Sequence, residues 1–287
     1  MWRALVFLPL LCVAQDLTKY TIETIAASHK FVEGPVWSAR EGHLLFSDVP
    51  VNQVFRIDGK GKTVFRENTG GVSGGAYDDK GRLYLCEART RRVVRLPKGG
   101  GAPEVLADAY EGKKLNGPND IVVTRNQHVY FTDPVFGDAV DSQELPFYGV
   151  FHISPKGIAT AALKWKTRPN GLALSFDGKV LYVTNSDERN VRAYDVGKDG
   201  TLENERVVIE KTDGVPGGIE VDAQGNLFVA AKGVQIFSPA GKMVTNIELA
   251  EKPSNLVFGD DSLQTLYVTA RTTVYRILLE TKGVSIY

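Results

Sequence analysis

The feature that most constrains this chain is that it repeats. Six short apolar runs recur along it, at 44–48, 83–87, 129–133, 181–185, 227–231 and 266–270. Their first residues are 39, 46, 52, 46 and 39 apart. Polar Gly-containing turns precede them, as in Asp79-Lys80-Gly81, Phe176-Asp177-Gly178 and Asp222-Ala223-Gln224-Gly225, which is hairpin chemistry. A third β-type run follows in most repeats, as at 52–57 and 191–196. A strand-rich unit of roughly 40–50 residues has the size of one propeller blade of about four strands. Helical periodicity is not sustained anywhere after residue 15. The expected fold is all-β: one six-bladed β-propeller domain over 15–287. The last repeat runs out of chain before its outermost strand, while 20–26 is an unassigned β-type run at the other end. That N-terminal strand is expected to complete a blade and close the ring, leaving no open sheet edge. The longest step leaves an excess at 138–147, a polar stretch without strand pattern, readable as a lid or as a plain insertion.

The first residues stand outside this pattern. Met1-Trp2-Arg3 is a short positive start, 4–13 is apolar, and Cys12-Val13-Ala14 places small residues before a cut at Gln15. This reads as a secretory signal over 1–14. The apolar run is too short to span a membrane, so the expectation is an exported protein, periplasmic or extracellular, without a stable membrane anchor. Cleavage would leave Cys86 as the single cysteine, which excludes an intrachain disulfide. The 34 basic and 34 acidic side chains balance. No basic excess is present to attract a nucleic acid or an anionic membrane.

In a propeller, the segment leading into each blade's innermost strand opens onto the central channel. These lead-ins contain Glu33-Gly34-Pro35, Ser73-Gly74-Gly75, Asn116-Gly117-Pro118-Asn119-Asp120, Arg168-Pro169-Asn170-Gly171, Pro216-Gly217-Gly218 and Pro253-Ser254-Asn255. Polar side chains from different blades can therefore converge on one ligand. One carboxylate with two amide carbonyls is hard oxygen ligation, suited to Ca²⁺ or Mg²⁺ and tolerable for Mn²⁺ or Zn²⁺. The same Asn and Asp residues are also the usual formers of Asx-turns at strand starts, and spacing alone leaves both readings open.

Glu33-Gly34-Pro35-Val36-Trp37, 115–120, Phe131-Thr132-Asp133-Pro134, Gly149-Val150-Phe151 and 168–173 together resemble, in order and with the right spacing, the gluconolactonase branch of the senescence marker protein (regucalcin) family. The resemblance implies a six-bladed propeller with one divalent cation in its channel, Ca²⁺ first and Zn²⁺, Mg²⁺ or Mn²⁺ as alternatives. It implies a hydrolase that opens a small-molecule sugar lactone. Carried over by position, Glu33 and Asn170 resemble metal ligands. Asn119 resembles the channel residue that binds metal-bound water or substrate, and Asp120 the group behind it. Two departures stand out. The family usually carries Pro-Asp-Gly at the fifth lead-in, its Asp being metal ligand and general base; here Gly217 stands in that place. The second lead-in often reads Asn-Gly, and here it is Gly74-Gly75. Restoring Asp at 217 is expected to tighten the cation. Asp213 and Asp187 are the neighbouring carboxylates offered by sequence position to reach in instead, and period-2 counting puts Glu220 on the opposite face. The alternative to the enzyme is a non-catalytic propeller that binds a carbohydrate or a protein partner, because Gly217 replaces the metal-binding Asp.

Other residues are secondary. Glu87 ends a strand and either approaches the channel as a substrate contact or pairs with Arg89 or Arg91. Tyr148 and the 138–147 loop are expected to shape the entrance. His29, His43, His128 and His152 are scattered in turns and strands and are read as surface or packing residues. Arg89, Arg91, Arg92 and Arg95 are read as a solvated strand edge. No Gly-x-Ser-x-Gly elbow or phosphate loop is present.

Overall fold

The computed structural model describes residues 16–136 and 142–284. The signal read at 1–14 lies outside the described residues, as do the first residues of the 138–147 loop. Six four-stranded antiparallel sheets form the six blades of a propeller. From the channel outward, the innermost strands are Val32–Ser38, Val72–Tyr77, Ile121–Val123, Pro169–Leu174, Ile219–Val221 and Pro253–Gly259. The six apolar runs of the sequence are the second strands, from His43–Asp48 in blade 1 to Thr265–Ala270 in blade 6. Blade 6 takes its outermost strand from the N-terminus: Tyr20–Ala26 pairs antiparallel with Thr273–Leu279, with Tyr20 opposite Leu279. A two-stranded ribbon, Ala109–Tyr110 with Lys113–Lys114, is added between blades 2 and 3.

The second strands read as continuous apolar runs because both of their faces are covered. Successive side chains point to opposite faces, and each face of a blade meets a different neighbour. In blade 3, Val129 and Phe131 pack with Tyr84 and Cys86 of blade 2, while Tyr130 between them packs with Leu172 and Leu181 of blade 4. The same division runs round the ring, so that each of six buried clusters sits between two adjacent blades. Cys86 is fully buried in one of them as a free thiol, which suits a small apolar residue rather than a reactive one.

The four histidines are buried and engaged in the blades. The His29 ring bonds Asp48 Oδ2 at 3.0 Å and sits edge-on to Phe46 and Phe55. His128 and His152 stack and share a 2.7 Å hydrogen bond. The expected arginine edge is corrected. Arg92–Leu96 is the third strand of four, covered by Glu104–Ala107. Its arginines are used inside the blade: Arg92 pairs with Glu87 and Arg95 with Glu104.

Candidate active site

The innermost strands are joined to one another across the channel wall. Gly74 N donates to Asn119 O at 2.6 Å, Gly171 N to Gly217 O at 3.2 Å and Gly218 N to Ser254 O at 2.9 Å. These bonds link blades 2 to 3, 4 to 5 and 5 to 6. Small residues are needed there because the facing backbones approach closely. At Gly34, whose φ is +50°, an added Cβ would run into the Ser73 carbonyl of the next blade. The Ser254 hydroxyl closes the circle by donating to Val32 O of blade 1 at 2.8 Å.

Above this ring lies a cavity of about 860 Å³. Glu33, Ser73, Asn119, Asn170, Gly217 and Ser254 all line it, one from each blade's lead-in. The three residues read as a metal or water set, Glu33, Asn119 and Asn170, are thus brought together. Asn170 donates its amide to Ser186 Oγ at 3.0 Å and to Pro216 O at 3.3 Å, which leaves its carbonyl oxygen as the group it can offer. Asn119 donates to Ser73 Oγ at 3.1 Å and is oriented in the same way. Glu33 accepts from the Gly34 amide at 3.1 Å. Burial pushes its carboxyl up to about 8, and the Asp120 charge adds to the rise. The donor set is all oxygen and so of the right kind for a hard dication. It offers at most one negative charge, that of Glu33 once ionised, and no cluster of three or more His, Cys, Asp or Glu side chains that could hold a metal occurs among the described residues.

Asp120 does not reach this cavity. It lies behind Asn119, buried, with Oδ2 accepting from Leu172 N and Oδ1 from Ile121 N, both at 3.0 Å. It lines a smaller cavity further down the channel, of about 100 Å³, together with Trp37, Tyr77, Glu220 and Asn255. Burial pushes Asp120 up to about 6 against those amides, and pushes Glu220 up to about 8 with the Asp120 charge adding to it. Glu220 is therefore a channel residue below the ring, separated from Glu33 as the strand alternation required. Asp120 is placed to position the lead-ins of blades 3 and 4, with both carboxylate oxygens already engaged.

Gly217 is more than a missing side chain. A Cβ there would run into the Ser254 carbonyl oxygen, which belongs to backbone bonded to Gly218 N. An Asp could restore a ligand here only by displacing the sixth lead-in, which occupies the space that Cβ would need. Neither proposed neighbour substitutes. Asp187 is held by Arg168 at 2.6 Å and Asp213 pairs with Lys232 at the surface, and neither lines the cavity.

Glu87 is fully buried, bonded to Arg92 Nε and to Thr90 Oγ1 at 2.8 Å. It is a blade-2 ion-pair residue away from the cavity lining, and its partner is neither Arg89 nor Arg91. Tyr148 is half-buried and pairs with Trp165 across its sheet. It stands outside the lining, near Arg168, whose guanidinium covers the cavity residue Phe136 at 5.1 Å. Two cationic cavity residues, Lys252 and Arg271, had no role in the sequence reading, and a third, Arg89, was read only as a strand-edge charge or a partner of Glu87. Lys252 directly precedes the Pro253-Ser254-Asn255 lead-in, the one sequence signal that could have marked it.

Residues 31–272 match the family model described as SMP-30/Gluconolactonase/LRE-like region. A gluconolactonase of Zymomonas mobilis is 33% identical over 91% of this chain and 82% of its own. A solved structure from Xanthomonas campestris, described as a gluconolactonase, is 30% identical with a TM-score of 0.84, covering 94% of this chain and 92% of its own. A calcium-binding protein of Agrobacterium tumefaciens, described as regucalcin, shares the fold at 16% identity and a TM-score of 0.80, over 92% and 95% of the two chains. The matched span begins just before the Glu33 lead-in and ends within the last blade, so it takes in every residue of the cavity ring. On that match the chain belongs to the SMP-30/gluconolactonase/LRE-like family.

Proposed function

We propose that this protein is a divalent-metal-dependent hydrolase that opens a sugar-derived lactone. The observation that carries the reading is the convergence of Glu33, Asn119 and Asn170, from three blades, on one cavity with room for a hexose-sized ring. A divalent cation held by Glu33, Asn170 and Asn119, Ca²⁺ first, would supply Lewis-acid polarisation of the ester carbonyl. The chain's own contribution is orientation. Ser186 and Pro216 fix the Asn170 amide. Ser73 fixes Asn119, and Asp120 holds the two lead-ins in register beneath it. Phe31, Phe136 and Pro216 give the cavity apolar walls against which a ring's C–H faces can pack. Glu33 is the one carboxylate lining the cavity among the described residues. Cation affinity is therefore set low by its charge count.

A second reading is favoured by Gly217. Backbone has closed over the place of the usual Asp, as expected of a propeller that binds a carbohydrate or protein without turning it over. The deciding experiment follows acid release from a panel of aldonolactones with Ca²⁺, Zn²⁺, Mn²⁺ or chelator. Metal-dependent turnover that disappears in Glu33→Gln supports the hydrolase. A folded protein inactive with every cation sinks it and leaves the binding propeller.

A further inference from the structure

Among the described residues, the cavity mouth carries its cationic side chains on one side, although the chain as a whole is neutral. Lys252 and Arg271 reach it from blade 6, and Arg89 from blade 2, so that they flank the Glu33 lead-in. The opposite wall, from blades 3 to 5, offers Val135, Phe136 and Val215. All three cationic residues are exposed, while Glu33, Asn119 and Asn170 are half-buried; the cations form a rim and the oxygen donors a floor. Several basic side chains elsewhere are spent on ion pairs, as in Arg82 with Asp78, Arg92 with Glu87 and Arg168 with Asp187. No such pair with a described carboxylate is formed by Arg89, Lys252 or Arg271. The Arg89 guanidinium donates to the Val49 carbonyl at 3.3 Å, and Arg271 feels Glu251 at longer range. Partial burial, with the charges of Arg271 and Arg189 beside it, depresses Lys252 below the usual lysine range. Like charges are thus crowded at this rim, with no described carboxylate in direct contact with them.

Cations at the mouth of a cavity with low-dielectric walls focus their field into it and concentrate anions there. Polar sugar hydroxyls would not require them. We infer that the substrate is an acidic lactone, one bearing a carboxylate or phosphate remote from the ring ester, with Lys252 and Arg271 receiving the anion while the ester lies on the Glu33–Asn170 floor. The inference rests on the lactonase reading above and specifies its substrate class.

The test measures kcat/KM for glucono-1,5-lactone, glucaro-1,4-lactone and 6-phosphoglucono-1,5-lactone, at low and at about 0.5 M salt. The expected result is a preference of ~10-fold or more for an acidic lactone, shrinking at high salt. In the Lys252→Gln/Arg271→Gln variant the acidic-to-neutral ratio should collapse to about 2 or less. Preference for the phosphate or for the carboxylate lactone assigns the anion, and either supports the inference. Equal or better turnover of the neutral lactone overturns it and leaves the lactonase reading intact. If no lactone is opened, that reading fails, and calorimetry with glucarate and 6-phosphogluconate decides the inference. Binding weakened by the double variant upholds the rim as an anion-receiving site while the lactone assignment falls, and absence of binding to both overturns the inference entirely.

Discussion

The Asp120 carboxylate accepts the Leu172 amide hydrogen at 3.0 Å, tying the lead-in of blade 3 to the innermost strand of blade 4. This bond lies directly beneath Asn119 and two residues beyond Asn170, so the cavity floor depends on it. Asp120→Ala leaves the Leu172 and Ile121 amides without their acceptor in a buried place. The expected loss is about 2–3 kcal/mol, read by denaturant unfolding, with a fall in turnover from the displaced asparagines. Asp120→Asn keeps one acceptor oxygen and should lose clearly less. Equal losses in the two variants would assign the effect to packing rather than to the bond.

Glu33→Gln removes the single negative charge from the cavity floor at nearly constant shape. Stabilisation by Ca²⁺, read as a Tm shift with and without chelator, should disappear. Turnover should fall ~100-fold or more, about 2.7 kcal/mol of transition-state stabilisation. A variant that keeps its Ca²⁺-dependent Tm shift would show that the cation is held elsewhere.

Gly217→Asp should destabilise rather than repair. Its Cβ meets the Ser254 carbonyl, and that backbone is fixed by Gly218 N. Forcing it aside costs about 1–3 kcal/mol, or roughly 2–12 °C in Tm for a domain of this size. Tighter metal binding at unchanged Tm would mean that the sixth lead-in yields easily.

Stability should fall as the pH rises. Burial pushes Asp133 up to about 7, against hydrogen bonds from the Asn116 and Gly117 amides, and Glu220 up to about 8. Both folded-state values lie above the ordinary carboxyl range, so the native protein holds these protons more tightly than the unfolded chain does. Their contribution is complete below about pH 4 and is lost as the pH climbs through 7 and 8. In chelator, Tm should drop between pH 6 and 9 by about 2–4 °C for each kcal/mol lost. Glu220→Gln should flatten part of that slope; an unchanged slope would remove Glu220 from the account.

Blade number, second strands and ring closure were legible because they are written as local alternation and turn chemistry. The 20–26 run, identified only as spare β-type sequence, is the outermost strand of blade 6. The convergence of Glu33, Asn119 and Asn170 was legible too, since repeat position alone carries each to the same end of the channel. What escaped depends on distances between blades. Nothing in Pro216-Gly217-Gly218 says that the Ser254 carbonyl lies where a side chain would go. Nor does alternation say that Glu220 shares a lower cavity with Asp120. The partner of Glu87 could have been found: in the hairpin that follows, Arg92 stands directly opposite it. The rim cations lie just outside the repeated pattern, in connections whose spatial neighbours only the ring assembly decides.

Closure by the N-terminal strand also orders events in time. Tyr20–Ala26 is the first strand of the propeller to be synthesised, and its partner Thr273–Leu279 is the last of the described strands. Blade 6 therefore cannot be finished until the other five blades have emerged. Every blade-to-blade cluster is shared with a neighbour, so no early blade has a complete core of its own on which to settle. Ring closure must wait for a contact between the first strand and the last, the kind of long-range pairing that slows folding. The clusters between blades 1 and 5 can form as their strands emerge, and the circle then closes in one late step.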